Sequence, residues 1–266
     1  MITSGVKFRA FLVLSLTVAC GQAWGAGAEF AADTQQRGPG GQVSSGKMFV
    51  GDGKVRIEMA AQGQNLVRIT DEKRRVEWVL FPEQKNYLER KAGVEQAGPA
   101  PDPAAFAADP CAGAAGLTCR KVGEETMTGR PAIKWEITGD QQGKPVTSTQ
   151  WIDKARGIPL RQEFPDGGKM SLSLQGKETI DGRAVEKWEM VVEGPGRQAT
   201  RTFQWYDPDL KLAVRQEFPG GGVSELKNIR IGKQPDDLFV VPAGYTLAPQ
   251  PEGQPAPKPA SKPESK

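Results

Sequence analysis

Gly46-Lys47-Met48-Phe49-Val50-Gly51-Asp52-Gly53-Lys54-Val55-Arg56-Ile57-Glu58-Met59 is the stretch that decides the fold. In its second half apolar and charged residues alternate, so Val55, Ile57 and Met59 share one face of an extended chain. Gly51-Asp52-Gly53 between the halves can take the positive φ angles a tight hairpin requires. The pattern continues outward: residues 65–70, 75–81 and 86–89 read as strands, and 71–74 and 82–85 as turns. One face of these strands is apolar and the other polar, which predicts an antiparallel sheet.

Beyond residue 123 the chain repeats itself. Gly123-Glu124-Glu125-Thr126, Gly129-Arg130 and Lys134-Trp135-Glu136 recur about 53 residues on as Gly176-Lys177-Glu178-Thr179, Gly182-Arg183 and Lys187-Trp188-Glu189. Gln150-Trp151-Ile152-Asp153 and Arg161-Gln162-Glu163-Phe164-Pro165 recur as Gln204-Trp205-Tyr206-Asp207 and Arg215-Gln216-Glu217-Phe218-Pro219, the offset having grown by one residue in a hairpin loop. The repeats, 123–168 and 176–222, each read as three or four strands. Two units fall short of the three or more that a solenoid or propeller needs, so they are expected as successive meanders of one sheet that curls into a barrel or splits into a sandwich.

The chain begins like an exported protein. Lys7 and Arg9 precede an apolar run over residues 10–19 and small residues over 23–28, the pattern of a secretory signal peptide. That run is about half of the roughly 20 residues a membrane-spanning helix needs, and no later segment is apolar for as long, so no transmembrane segment is expected. Two processing routes stay open: release after Gly25, giving a periplasmic protein, or lipidation of Cys20 in the box Thr17-Val18-Ala19-Cys20, giving an outer-membrane lipoprotein. The expected organisation is a signal peptide over 1–25, a β domain over 26–246 and a disordered Pro-rich tail over 247–266. The tail is either a tether or simply a solvated end.

Cys111 and Cys119 remain as a pair in an oxidising compartment, which favours a disulfide over a redox site, whose cysteines are usually closer. They bracket part of an Ala/Gly/Pro-rich segment, 93–117. Asp102-Pro103 before Ala104-Ala105-Phe106-Ala107-Ala108 has the N-cap and first-turn proline of a short helix, which Pro110 limits. The segment is either a lid held by the disulfide or an inserted loop.

Composition removes whole classes of function. The leader holds two of the formal +3 charges, so the rest of the chain is nearly neutral and carries no nucleic-acid footprint. There is no histidine, hence no Ser-His or Cys-His nucleophile pair and none of the commonest zinc ligand. Glu163 with Asp166, or Glu217 with Asp207, are the only carboxylate pairs worth naming. The expectation is a protein that is not an enzyme and uses no cofactor and no metal ion.

Glu29-Phe30-Ala31-Ala32-Asp33, Lys54-Val55-Arg56-Ile57-Glu58, Trp78-Val79-Leu80-Phe81-Pro82 with Lys85-Asn86-Tyr87, and the close Pro235-Asp236-Asp237-Leu238-Phe239-Val240-Val241-Pro242-Ala243-Gly244-Tyr245 together resemble the LolA-like superfamily, nearest to one of its uncharacterised branches. The resemblance spans about residues 29–245. It implies a mainly β fold: a curved, antiparallel, unclosed β-barrel with a short helical lid over an apolar concave face. It also implies a carrier or chaperone for a lipid or lipoprotein acyl chain, or else an envelope interaction or sensor module, RseB-like, that acts on a protein partner. The tandem repeat and the cysteine-bearing segment depart from the true carriers.

The candidate cavity residues are Trp78, Phe81, Trp135, Trp151, Trp188 and Trp205. An indole offers a large rigid apolar surface with one polar handle, suited both to a cavity wall and to ordinary packing between sheet and lid. The repeated Arg130, Arg183, Arg161 and Arg215 are expected on solvated strand faces, paired with Glu136, Glu189, Glu163 and Glu217.

Overall fold

The computed structural model describes residues 28–61, 64–91, 103–112, 114–141 and 143–249. The leader with Cys20, its cleavage sites and the tail from residue 250 onward lie outside them. The strands are β1 (Phe30–Arg37), β2 (Val43–Gly51), β3 (Lys54–Ala61), β4 (Gln64–Asp71), β5 (Val76–Phe81) and β6 (Asn86–Lys91), then helix α1 (Pro103–Ala108). The repeat region supplies β7 (Thr118–Met127), β8 (Arg130–Gln141), β9 (Lys144–Asp153), β10 (Pro159–Glu163), β11 (Lys169–Ile180), β12 (Arg183–Glu193), β13 (Thr200–Asp207), β14 (Leu212–Glu217) and β15 (Val223–Ile231); β16 (Thr246–Leu247) closes the order. The hydrogen-bonded order is β16-β6-β5-β4-β3-β2-β1-β15-β14-β13-β12-β11-β10-β9-β8-β7, one unclosed sheet. The antiparallel sheet read from the alternation, and the mainly β, unclosed form that the resemblance implied, are therefore observed, and β16 pairs in parallel with β6. Among the described residues no helix is long and apolar enough to cross a membrane.

The chain divides into two compact units, one holding residues 103–171 and the other 28–91 with 172–249. The boundary after Ser171 falls between the two sequence repeats, so each unit contains one. Each repeat opens with a two-residue hairpin whose central residues both have positive φ, Thr128 (48°) with Gly129 (79°) and Asp181 (48°) with Gly182 (77°). That is the primed turn whose twist matches the flanking strands, and it explains the glycine at the same place in both copies.

In the larger unit Phe30, Ala32, Val50, Leu212 and Val214 are buried together, and Ile69, Trp78, Leu80 and Phe239 form a second cluster. Phe239 reaches that cluster from a 3-10 turn, Asp236–Phe239. Arg56 Nη1 donates to the Leu238 carbonyl at 3.0 Å, and Lys54 pairs with Asp236. The Asp-x-Phe close is thus a plug. After it, β16 lies along β6, and the Ala248 amide donates to the Tyr87 carbonyl at 2.7 Å. Ordered pairing therefore runs two residues into the segment read as tail, because a backbone edge needs no apolar side chains to hold it.

Candidate functional site

In the smaller unit β8 presents Ile133, Trp135 and Ile137 in one phase and Ala132, Lys134 and Glu136 in the other. Directly opposed residues of an antiparallel pair share a face. Trp135 opposes Gln150, whereas Trp151 opposes Lys134, so the two indoles of this repeat lie on opposite faces.

The Trp135 face is the one that α1 covers. Ile133, Trp135 and Ile152 are buried with Ala107 of α1, and Phe106, Cys119 and Ile137 pack at the margin. Trp135 Nε1 donates to the Ala107 carbonyl at 3.2 Å, one of the helix's end carbonyls that lack a partner within the helix. Just beyond α1 the Asp109 carboxylate accepts the Cys111 amide. Cys111 and Cys119 are disulfide-bonded, with Cα atoms 5.8 Å apart, so the helix is tied to β7. The same face carries a polar rung: Trp135 opposes Gln150, Gln150 opposes Gln162, and Gln162 opposes Met170. Gln150 and Gln162 are buried.

Trp151, in the other phase, is sandwiched between cations. Lys134 Nζ lies 4.8 Å and the Arg161 guanidinium 5.0 Å from its ring, and its Nε1 donates to Glu125 at 2.9 Å. That bond holds the Glu125 carboxyl below its ordinary value. The larger unit repeats the arrangement by itself. Trp205 has Lys187 at 4.9 Å and Arg215 at 5.3 Å, and donates to Glu178 at 2.6 Å, which lowers the Glu178 carboxyl likewise. Trp188 opposes Gln204, which opposes Gln216. In each repeat one tryptophan keeps the phase of the glutamine rung and the other is stacked with cations.

Trp78 belongs to the Phe239 cluster, donates to Glu89 at 2.9 Å and has Arg74 over its ring at 5.1 Å. Phe81 ends β5 out of phase with Trp78 and is half-buried. The six candidates are therefore not brought onto one wall.

What sequence reasoning missed is that Asp153 and Asp207 are the partners of the repeated Arg130 and Arg183. Arg130 and Arg183 pair with them and not with Glu136 and Glu189, which take Arg120 and Arg201. Asp207 Oδ1 also accepts the amides of Asp209 and Leu210, as Asp153 Oδ1 accepts those of Ala155 and Arg156. The hydrogen bond that Arg183 donates to Asp207 pushes the Arg183 pKa up. The signal was present, an Asp two residues after the tryptophan in both Gln-Trp-x-Asp motifs. Glu163 and Glu217 do pair with Arg161 and Arg215. Asp166 accepts the Gly168 amide, so all four carboxylates considered for acid–base work are engaged in turns or ion pairs. Among the described residues no group of three or more Cys, Asp or Glu is placed to hold a metal ion.

No family model matches the chain, and no curated protein matches it. Solved structures similar to it include a LolA superfamily protein from Nitrosomonas europaea, 12% identical over 81% of this chain and 91% of that one, TM-score 0.35. They also include a DUF1329 family protein from Desulfovibrio piger, 15% identical over 82% and 91%, TM-score 0.31. A third is a putative outer membrane lipoprotein-sorting protein domain from Vibrio parahaemolyticus, 13% identical over 81% and 89%, TM-score 0.27.

Proposed function

We propose that this is an exported, non-catalytic carrier that shelters a hydrophobic ligand, a lipid or a lipoprotein acyl chain, in the periplasm. The ligand's place is the sheet face of Ile133, Trp135 and Ile152 that α1 covers. The observation that carries it is the way the cover is held: an indole hydrogen bond to Ala107, apolar contact through Phe106 and Ala107, and a disulfide tie just beyond the helix. A helix of six residues is far below the roughly 12–15 at which an isolated helix becomes marginal in water, so α1 depends on the face it covers. An acyl chain offers that face the same apolar contact, and displacing α1 frees the indole N–H for a ligand ester or amide. The absence of histidine argues against catalysis in the same chain.

Native mass spectrometry of protein purified from its own envelope, followed by lipid extraction, tests the proposal. Acyl-mass adducts that are displaced by a fluorescent fatty acid are expected. A protein free of lipid that also ignores the fluorescent fatty acid would sink it. The second reading, an envelope interaction module, is favoured by the open edge of β7. Periplasmic crosslinking separates the two, since a single stoichiometric protein partner supports the module and heterogeneous lipid supports the carrier.

A further inference from the structure

The two ends of the sheet are treated differently. At one end β6 is capped at Asn86 and Tyr87 by β16, a two-residue strand. At the other end β7 is ten residues long, and among the described residues no strand pairs with its outer side. A long open edge is a template for another strand, and charge and β-bulges are common means of keeping it solitary. β7 carries both, but its charges change sign in an ordered way. Along Arg120-Lys121-Val122-Gly123-Glu124-Glu125 two cations are followed by an apolar residue, a glycine and two anions.

Read antiparallel against itself, with the two-fold axis between Val122 and Gly123, this segment sets Lys121 opposite Glu124 and Arg120 opposite Glu125 of the second copy. Each pairing occurs twice by symmetry. Such a register needs opposed residues on the same face of the continued sheet. In a regular strand residues 121 and 124 point to opposite faces. Here the register against β8 shifts between Lys121 and Gly123, one extra residue in β7. Lys121 opposes Trp135 and Glu124 opposes Ile133, which share one phase of β8, and Arg120 and Glu125 oppose Glu136 and Ala132 in the other. The bulge thus makes the charge pattern self-complementary face by face. Val122, 42% exposed in the single chain, falls beside the dyad, opposite Gly123 of the second copy, which has no side chain to crowd it.

We propose that β7 pairs antiparallel with β7 of a second copy, making a two-fold dimer whose sheet runs on through both chains. The inference does not depend on what the covered face binds. Sedimentation velocity of the full mature chain over a concentration series should show reversible monomer and dimer. Lys121 and Glu124 also pair within one chain at 2.9 Å, so Lys121→Glu and Glu124→Lys each set like charges against one another twice across the interface and once inside each chain, and each should raise the dissociation constant by at least about tenfold. The double variant Lys121→Glu/Glu124→Lys should restore self-association, and mixing the two single variants should give a 1:1 heterodimer. Both side chains are exposed, and circular dichroism checks that each variant folds. A chain monomeric up to about 100 μM, where an interface of even modest hydrogen bonding would show, overturns the proposal. A dimer indifferent to either charge reversal, or a double variant that stays monomeric, overturns it equally.

Discussion

Arg183 and Asp207 form an ion pair in which the acid is wholly buried and the base is not: the Asp207 side chain is 1% exposed and that of Arg183 22%. Removing either partner therefore has different consequences. Without Asp207 the guanidinium can turn to water, but the Asp209 and Leu210 amides lose their acceptor. Without Arg183 the carboxylate stays buried with one oxygen deprived of its donor, the costlier outcome for a charge. Arg183→Met should cost about 3 kcal/mol and Asp207→Asn about 1–2 kcal/mol by urea denaturation. Equal losses would mean that the pair is screened by water.

Acid should act on the tryptophan networks. Glu178 has its pKa lowered from 4.5, first by the Trp205 hydrogen bond and then by Lys187; Glu125 is lowered first by Trp151. A carboxyl whose folded pKa is depressed contributes stability that is fully present above its unfolded value and is lost as pH falls through the folded one. The contribution should therefore hold at pH 5 and above and fade below 4.5. Glu178→Gln, which lacks the charge that carries the contribution, should flatten that part of the stability–pH profile by lowering neutral-pH stability towards the acid value. An acid limb identical in the variant would disprove the link.

How much of this was legible is uneven. The hairpin at residues 46–59, the short helix after Asp102 and the tandem repeat could all be read because each rests on local chemistry: alternation, a proline at a first helical turn, a glycine with positive φ. The opposite facing of Trp135 and Trp151 was encoded too, since 150 opposes 135 and not 134, but that register is set by the Lys144-side loop and could not be read from spacing. The Arg130–Asp153 and Arg183–Asp207 pairs escaped because an Asp at a strand end has a satisfying local role as a turn former, which its backbone amides do confirm. Its second role depends on a strand that only register brings alongside.

The disulfide should govern the cover more than the core. Replacing Cys111 and Cys119 by Ser leaves the sheet register untouched and removes a tie spanning eight residues. The expected loss is about 2–3 kcal/mol. Hydrogen exchange should rise in residues 103–118 and not in β8 or β9, and binding of a hydrophobic probe should change with it. Global unfolding would instead make the bridge a staple of the fold.

Gly51 should not accept a side chain. A Cβ there would lie 2.9 Å from the Phe239 ring, which is buried in the Ile69–Trp78 cluster. Gly51→Val forces the ring and the 3-10 turn outward, at about 1–3 kcal/mol, and should release the Arg56 bond to Leu238. Restored stability in Gly51→Val/Phe239→Leu would confirm steric conflict with the ring as the cause; no recovery would rule that conflict out.

The position of β1 also constrains how the chain can be made. It is hydrogen-bonded on one side to β2, which follows it directly, and on the other to β15, near the far end of the sequence, where Asn228 Nδ2 also reaches Asp33 at 2.7 Å. A ribosome delivers β1 early and β15 almost last. Through most of synthesis the outer side of β1 is an open template, and closing it requires a loop of nearly the whole chain, the slow kind of contact. A chain halted before residue 223 should stay prone to aggregation and bind a holding chaperone, whereas one extended past Ile231 should resist proteolysis. The last long strand thus acts as a timer that sets when the nascent protein becomes safe from its neighbours.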